Sequence, residues 1–270
     1  MPSPTVTLTQ DQIDHFHEKG YLSLDAITTP DELKHLREVY DRLFTNRTGW
    51  ESGDQFDLAG TDDNTPTLPQ LLGPSKYAPE LQDTLYRANA SAIARQLLGN
   101  DLEDRVGEHM ILKPASYGAP TPWHQDQAYH DPTLSYRNVN FWLPLDDATV
   151  ESGCLHFVPG SHRMDVMPHH SIGNDPRVHG LEVDDADSWN AKGVACEVPA
   201  GGATMHAAYM LHYAGPNRTA HPRRAYILMH RLAPTKRDTP VDNYWEHQKQ
   251  TARQSRTQTD QKKKTDHPKP

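Results

Sequence analysis

The stretch Asn138-Val139-Asn140-Phe141-Trp142-Leu143-Pro144-Leu145 alternates. Val139, Phe141, Leu143 and Leu145 fall on one face, and Asn138, Asn140 and Trp142 on the other. A period of two is that of a β-strand, whose successive side chains point to opposite sides. Further along, Leu155-His156-Phe157-Val158 is a short apolar run stopped by Pro159-Gly160. Two more runs, over 203–213 and 224–232, are separated by Ala-Gly-Pro-Asn-Arg-Thr-Ala-His-Pro. Several short strands with Gly/Pro punctuation predict a sandwich or a barrel.

The chain before this strand-rich part is helical in pattern. Thr9-x-x-Gln12 forms a capping box ahead of Ile13 and Phe16, and Gly20 suits the helix stop. Thr29-Pro30-Asp31-Glu32 is a second start, after which Leu33, Leu36, Tyr40 and Leu43 mark one apolar face. A third helix is predicted from about Pro79 to Leu98, ending at Gly99, and residues 50–76 read as a long loop. Helices first and strands second predict one domain over 1–234. Its helical part spans 9–100 and its barrel about 105–234. Residues 235–270 read as a polar, basic, disordered tail, with few apolar residues after Trp245 and a run of lysines at 262–264.

The chain has 270 residues and a formal charge of -9. The tail carries nine Lys/Arg against five Asp/Glu, so its +4 leaves the body at -13. That argues against a nucleic-acid partner, which needs a basic footprint. Two cysteines, Cys154 and Cys196, exclude a disulfide framework and a thiolate zinc site. No signal peptide is visible and no apolar run approaches the ~20 residues that cross a bilayer. The expectation is a cytoplasmic protein with reduced thiols and no membrane partner.

Against this background stand 17 histidines. Thr121-Pro122-Trp123-His124-Gln125-Asp126 sets a His and an Asp two residues apart, and on an extended segment both point to one side. Two His and one carboxylate on one face, with open positions opposite, form the site of non-heme Fe(II) oxygenases. A third ligand should come from a distant strand, with His206 and His212 as candidates. The turn at Gly215-Pro216-Asn217 is expected to fold His212 back across from Arg223. A guanidinium there would bind the far carboxylate of a dicarboxylate co-substrate.

These residues carry a family resemblance. The chain resembles the phytanoyl-CoA dioxygenase-like group of Fe(II)/2-oxoglutarate oxygenases over roughly Leu8 to Pro234. The matching segments are Phe16-His17-Glu18-Lys19-Gly20-Tyr21, Trp123-His124-Gln125-Asp126, Gly153 to His162, and His212-Tyr213-Ala214-Gly215-Pro216-Asn217-Arg218-Thr219 with Arg223 eleven residues after His212. The resemblance implies a mainly β fold with flanking helices, a double-stranded β-helix of jelly-roll or cupin-like form. It implies His124, Asp126 and His212 as iron ligands, Arg223 as the residue that binds 2-oxoglutarate, and Trp142 as an aromatic wall of the co-substrate pocket. One departure is Ala214, where the family often has a Ser that helps hold the co-substrate; Thr121 is the expected substitute. The Gly153 to His162 segment is expected to be structural.

The implied cofactors are Fe(II), 2-oxoglutarate and O2, and the implied products are succinate, CO2 and an oxidised substrate. Hydroxylation of an unactivated C–H bond is the leading expectation, with desaturation, epoxidation or cyclisation as variants. Because Asp126 is present, halogenation is not expected. The acidic body favours a small metabolite or natural-product intermediate over an acyl-CoA. Gln127, Tyr129 and His130 are candidate substrate contacts, and residues 164–193 a candidate lid. A non-catalytic cupin-like metal binder and a hydrolytic zinc enzyme are the competing classes.

Overall fold

The computed structural model describes residues 2–61 and 65–258. Asn138–Pro144 is a strand near the centre of a seven-stranded antiparallel sheet. From one edge the sheet runs Tyr21–Leu24, Ala203–Ala207, Asn138–Pro144, Arg223–Arg231, Gly107–Lys113, Pro69–Leu72 and Gln55–Asp57. A four-stranded sheet runs Val194–Cys196, Leu155–Phe157, His212–Ala214 and Thr121–His124. Together they make the double-stranded β-helix, with helices against the outer face of the larger sheet.

All seven residues of Asn138–Pro144 are buried, on both faces. Val139, Phe141 and Leu143 pack with Leu36, Tyr40, Tyr86 and Ile93 in the core beneath the helices. Trp142 points the other way and packs with Leu155, Phe157, Ala225 and Ile227 between the sheets. The alternation therefore separates a helix-packed face from a face that looks into the barrel.

Helix α1 (Gln10–Lys19) has the capping box at Thr9 and Gln12 and ends at Gly20, whose φ of 86° suits glycine. Helix α2 (Pro30–Thr45) is capped by Thr29. The third helix starts later than expected. Pro79–Gln82 is a separate 3₁₀ turn, and α3 (Leu85–Leu98) begins after Thr84, whose hydroxyl accepts the Arg87 N–H. The reading of 50–76 as a loop also gives way, because Gln55–Asp57 and Pro69–Leu72 extend the large sheet. The 203–213 run is two strands. Ala203–Ala207 lies in the large sheet, the chain turns at 208–211, and His212–Ala214 enters the small one. Apolarity continues through this corner because Met210 and Leu211 are fully buried, so the pattern carries no mark of the change of sheet.

Residues 235–258 are not a disordered tail. Helix α4 (Tyr244–Gln248) buries Trp245 against Ala128 and Leu181, and its Nε1–H donates to the Ala128 carbonyl at 3.1 Å. Arg253 donates from Nε to the Gly53 carbonyl at 2.9 Å, and Arg256 donates to that of Gln55 at 3.1 Å. A single large aromatic supplies the apolar anchor that low average hydropathy conceals. The lysines at 262–264 and the rest of the tail lie outside the described residues. No helix among the described residues is long and apolar enough to cross a membrane.

The core is acid-sensitive. His169 is fully buried and His230 is nearly so. Burial lowers the pKa of His169 to about 3 and of His230 to about 4. The unfolded chain, with ordinary values near 6.5, takes up these protons first, so stability falls as pH drops from about 6.5 towards 4. The two groups together are expected to cost about 3 kcal/mol per pH unit in that window. Urea midpoints at pH 7 and pH 5 should differ accordingly; equal midpoints would contradict it.

Candidate active site

His124 ends the Thr121–His124 strand and His212 begins the His212–Ala214 strand, and the two are direct cross-strand partners. Their rings lie 4.1 Å apart between centroids. Asp126 follows after one residue, at the start of a 3₁₀ turn. Its Oδ1 is 3.5 Å from His124 Nε2 and 3.7 Å from His212 Nε2. Among the described residues this is the one group of His, Cys, Asp or Glu whose ligand atoms, all within 4.8 Å, could share a metal ion.

The tautomers suit that role. His124 Nδ1 lies 2.7 Å from the Pro122 carbonyl, and His212 Nδ1 lies 2.9 Å from that of Met210. A carbonyl only accepts, so each Nδ1 carries the proton and each Nε2 keeps its lone pair for a metal. Burial, followed by the nearby His124, holds His212 well below its ordinary pKa and therefore neutral. Burial alone would raise Asp126, but the histidines around it, with His206 Nε2 3.1 Å from Oδ2, hold it well below the carboxylate range.

The link between His124 and Asp126 is braced from outside the barrel. The Gln125 N–H donates to His169 Nε2 at 3.2 Å, and its carboxamide donates to the carbonyls of Asp165 and Tyr209. Its Oε1 accepts the Met167 N–H at 2.8 Å. Residues 164–193 are thus scaffold more than lid. They form a small hairpin of His169–Ser171 with Leu181–Val183, and Asn190 accepts the Trp123 indole N–H at 2.8 Å. Only His179 from this segment lines the cavity beside His124, Asp126 and His212.

That cavity is about 270 Å³ and lies between the sheets. Arg223 lines it and is 2% exposed. Its guanidinium stacks over Trp142 at 5.0 Å, and its Nε and Nη1 have no hydrogen-bond partner among the described residues. Burial lowers its pKa to about 10, which leaves it charged at neutral pH. A buried cation with free N–H groups facing a cavity fits a carboxylate ligand, because leaving it unpaired is costly. Arg223 is not a cross-strand neighbour of His212, as the hairpin reading had it. Arg223 pairs with Lys113 in the large sheet and His212 with His124 and Phe157 in the small one. They meet by facing each other across the barrel.

Thr121 also lines the cavity, and its backbone partner is Ala214, the position that lacks the hydroxyl. Tyr129 and His130 line it too. Gln127 does not. Its amide donates to the Leu134 carbonyl and its Oε1 accepts the Tyr136 N–H, so it anchors the following loop.

Asn140 and Lys113 went unassigned in the sequence, and His206 entered there only as the alternative third ligand. Asn140 and His206 reach Asp126 from the large sheet. Lys113 is fully buried beside Arg223; burial, followed by that guanidinium, holds its amine well below the ordinary lysine range, and its Nζ donates to the Ala119 carbonyl. Alternation placed Asn140 on the face of Trp142, which was signal enough to direct it inward.

Residues 16–225 match the family model described as phytanoyl-CoA dioxygenase (PhyH). The Arabidopsis thaliana protein named phytanoyl-CoA dioxygenase is 26% identical over 259 residues, 83% of this chain and 89% of that protein. The crystal structure of EvdO2 from Micromonospora carbonacea var. aurantiaca is 44% identical, with a TM-score of 0.78, and the match covers 90% of this chain and 99% of that one. EvdO2 complexed with 2-oxoglutarate gives 40% identity and a TM-score of 0.77 over the same shares of the two chains, 90% and 99%. The epimerase SnoN, in complex with Fe3+, alpha ketoglutarate and nogalamycin RO, shares the fold at 23% identity and a TM-score of 0.60, over 86% of this chain and 87% of that one.

Proposed function

The chain belongs to the phytanoyl-CoA dioxygenase family of 2-oxoglutarate-dependent non-heme iron oxygenases, and from that premise we propose that it hydroxylates an unactivated C–H bond of a small natural-product intermediate. One observation carries the reading. An unpaired, buried guanidinium and a group of two histidines and an aspartate open into the same cavity. A cupin-like binder or a hydrolytic zinc site has no use for that guanidinium.

In this reading His124 and His212 offer Nε2 and Asp126 offers Oδ1 to iron, on one side of the cavity. Arg223 holds the distal carboxylate of 2-oxoglutarate, Trp142 packs the guanidinium flat, and the Thr121 hydroxyl takes the place of the one missing at Ala214. The bound iron and 2-oxoglutarate supply the oxygen chemistry, with succinate and CO2 as by-products and hydrogen removed from the substrate carbon. The protein's part is to position that carbon and to exclude water. Asp126 fills the position a halide would need, which supports hydroxylation over halogenation.

The C-terminal segment that packs on the body, residues 235–258, carries five Lys/Arg against three Asp/Glu, so its +2 leaves the -13 of the body largely in place, which supports a small metabolite over an acyl-CoA. The fold neighbour SnoN, a protein of nogalamycin biosynthesis, is in line with a natural-product substrate. A substrate screen read by succinate release and product mass tests the proposal. The expected hit releases succinate in step with a product heavier by one oxygen atom. Succinate release with loss of two hydrogens and no added oxygen would overturn hydroxylation and keep the enzyme class.

A further inference from the structure

Asp126 is gripped by a pair of residues from the opposite sheet. Asn140 Nδ2 donates to Asp126 Oδ2. His206 Nε2 lies 3.1 Å from the same oxygen. Asn140 and His206 are themselves register partners, on adjacent strands of the large sheet. Both are nearly fully buried. The other carboxylate oxygen, Oδ1, is the one that faces His124 and His212. The two oxygens thus have separate surroundings, one with hydrogen-bond donors and one with the two imidazole lone pairs.

We infer that Asn140 and His206 form a positioning clamp that commits Oδ2 of Asp126 to hydrogen bonds and leaves Oδ1 alone for the metal. Asp126 needs such a device. It sits outside the strands, in a 3₁₀ turn, where its backbone does not fix the carboxylate. An unclamped carboxylate can rotate or take both oxygens to the ion, and a second bound oxygen would occupy a coordination position that co-substrate or O2 requires. An ionised Oδ2 accepts from both donors, and such charge-assisted bonds are the strong ones. His206 then carries its proton on Nε2. Its Nδ1 is buried and has no hydrogen-bond partner among the described residues, so the carboxylate is the one group this ring serves. The clamp also ties the two sheets together at the metal, since Asp126 follows a strand of one and both donors stand on the other. The inference rests on the proposed iron-binding role of His124, Asp126 and His212. It excludes His206, the rival third ligand, from the ligand set.

Anaerobic Fe(II) titration without 2-oxoglutarate tests it, beside melting of the metal-free proteins. Asn140→Leu keeps the volume and removes the donor; His206→Leu does the same for the imidazole. His206→Gln keeps an N–H donor on a flexible side chain. Loss of a group that orients a metal ligand typically weakens binding about 10- to 100-fold. Asn140→Leu and His206→Leu should each weaken Fe(II) binding by about that factor, and His206→Gln by less than about 3-fold. The double leucine variant should be far from multiplicative, since both donors serve one oxygen. Wild-type affinity in both leucine variants would overturn the clamp. So would loss of iron in His206→Gln with full affinity in Asn140→Leu, the pattern of a direct ligand. Should a leucine variant not fold, a weakened His206→Gln, no better than 10-fold below wild type, overturns it alone. Wild-type protein that binds no Fe(II) would overturn the iron reading itself, a result distinct from these.

Discussion

Replacing His212 by alanine is expected to leave a folded barrel that holds Fe(II) at least about 100-fold more weakly than the natural protein, since even groups behind the ligands are worth 10- to 100-fold. The ring supplies one of three donors, and its Nδ1–H···O=C bond to Met210 aims Nε2 at Asp126. No neighbour substitutes for it. The His206 ring is tilted against it with centroids 4.4 Å apart but reaches the far oxygen of the carboxylate. Succinate release should fall below detection in His212→Ala. His156→Ala is the control. His156 is half-buried on the adjacent strand, 3.3 Å from the Cys154 carbonyl, and it does not line the cavity. Its loss should leave iron binding unchanged. Iron bound equally by His212→Ala and the natural protein would remove His212 from the site.

Arg223→Ala should separate the two cofactors. Truncating one partner of a buried charge pair costs about 2–5 kcal/mol, which corresponds to about 30-fold to several thousand-fold in 2-oxoglutarate affinity. Fe(II) affinity should stay within about 3-fold, because Arg223 stands on the large sheet and the metal ligands belong to the other. Arg223→Lys keeps the charge and loses the planar fork, so it should fall between the two. The metal-free variant should melt no lower than the natural protein. The alanine relieves a buried cation that two of its own N–H groups leave unsatisfied. Equal loss of iron and 2-oxoglutarate would contradict the assignment.

The meeting of His124 and Asp126 was legible because Gln125 between them is extended and sets both side chains to one side, although Asp126 itself starts a 3₁₀ turn. Arg223 was legible by its spacing and misplaced in space. A turn after His212 suggested a hairpin, whereas the barrel sends the two residues into opposite sheets. The same cause hid the corner at 208–211, since a strand that changes sheets inside a core stays apolar throughout. Asn140 was legible as a neighbour of Trp142 on one face of the strand, but not its partner. In a closed barrel that side is interior, and a buried amide needs a partner, here Asp126. Residues 235–258 were misjudged from average composition, because Trp245 anchors what its polar neighbours would not.

The central claim is that one cavity holds Fe(II) through His124, Asp126 and His212 and 2-oxoglutarate through Arg223. The most direct measurement is an anaerobic titration of the metal-free natural protein with Fe(II) and then 2-oxoglutarate, followed in visible light. A charge-transfer band that needs both additions, and that vanishes in His212→Ala and requires far more 2-oxoglutarate in Arg223→Ala, is the predicted result. Tight Fe(II) binding by the folded natural protein with no band at saturating 2-oxoglutarate would contradict the account.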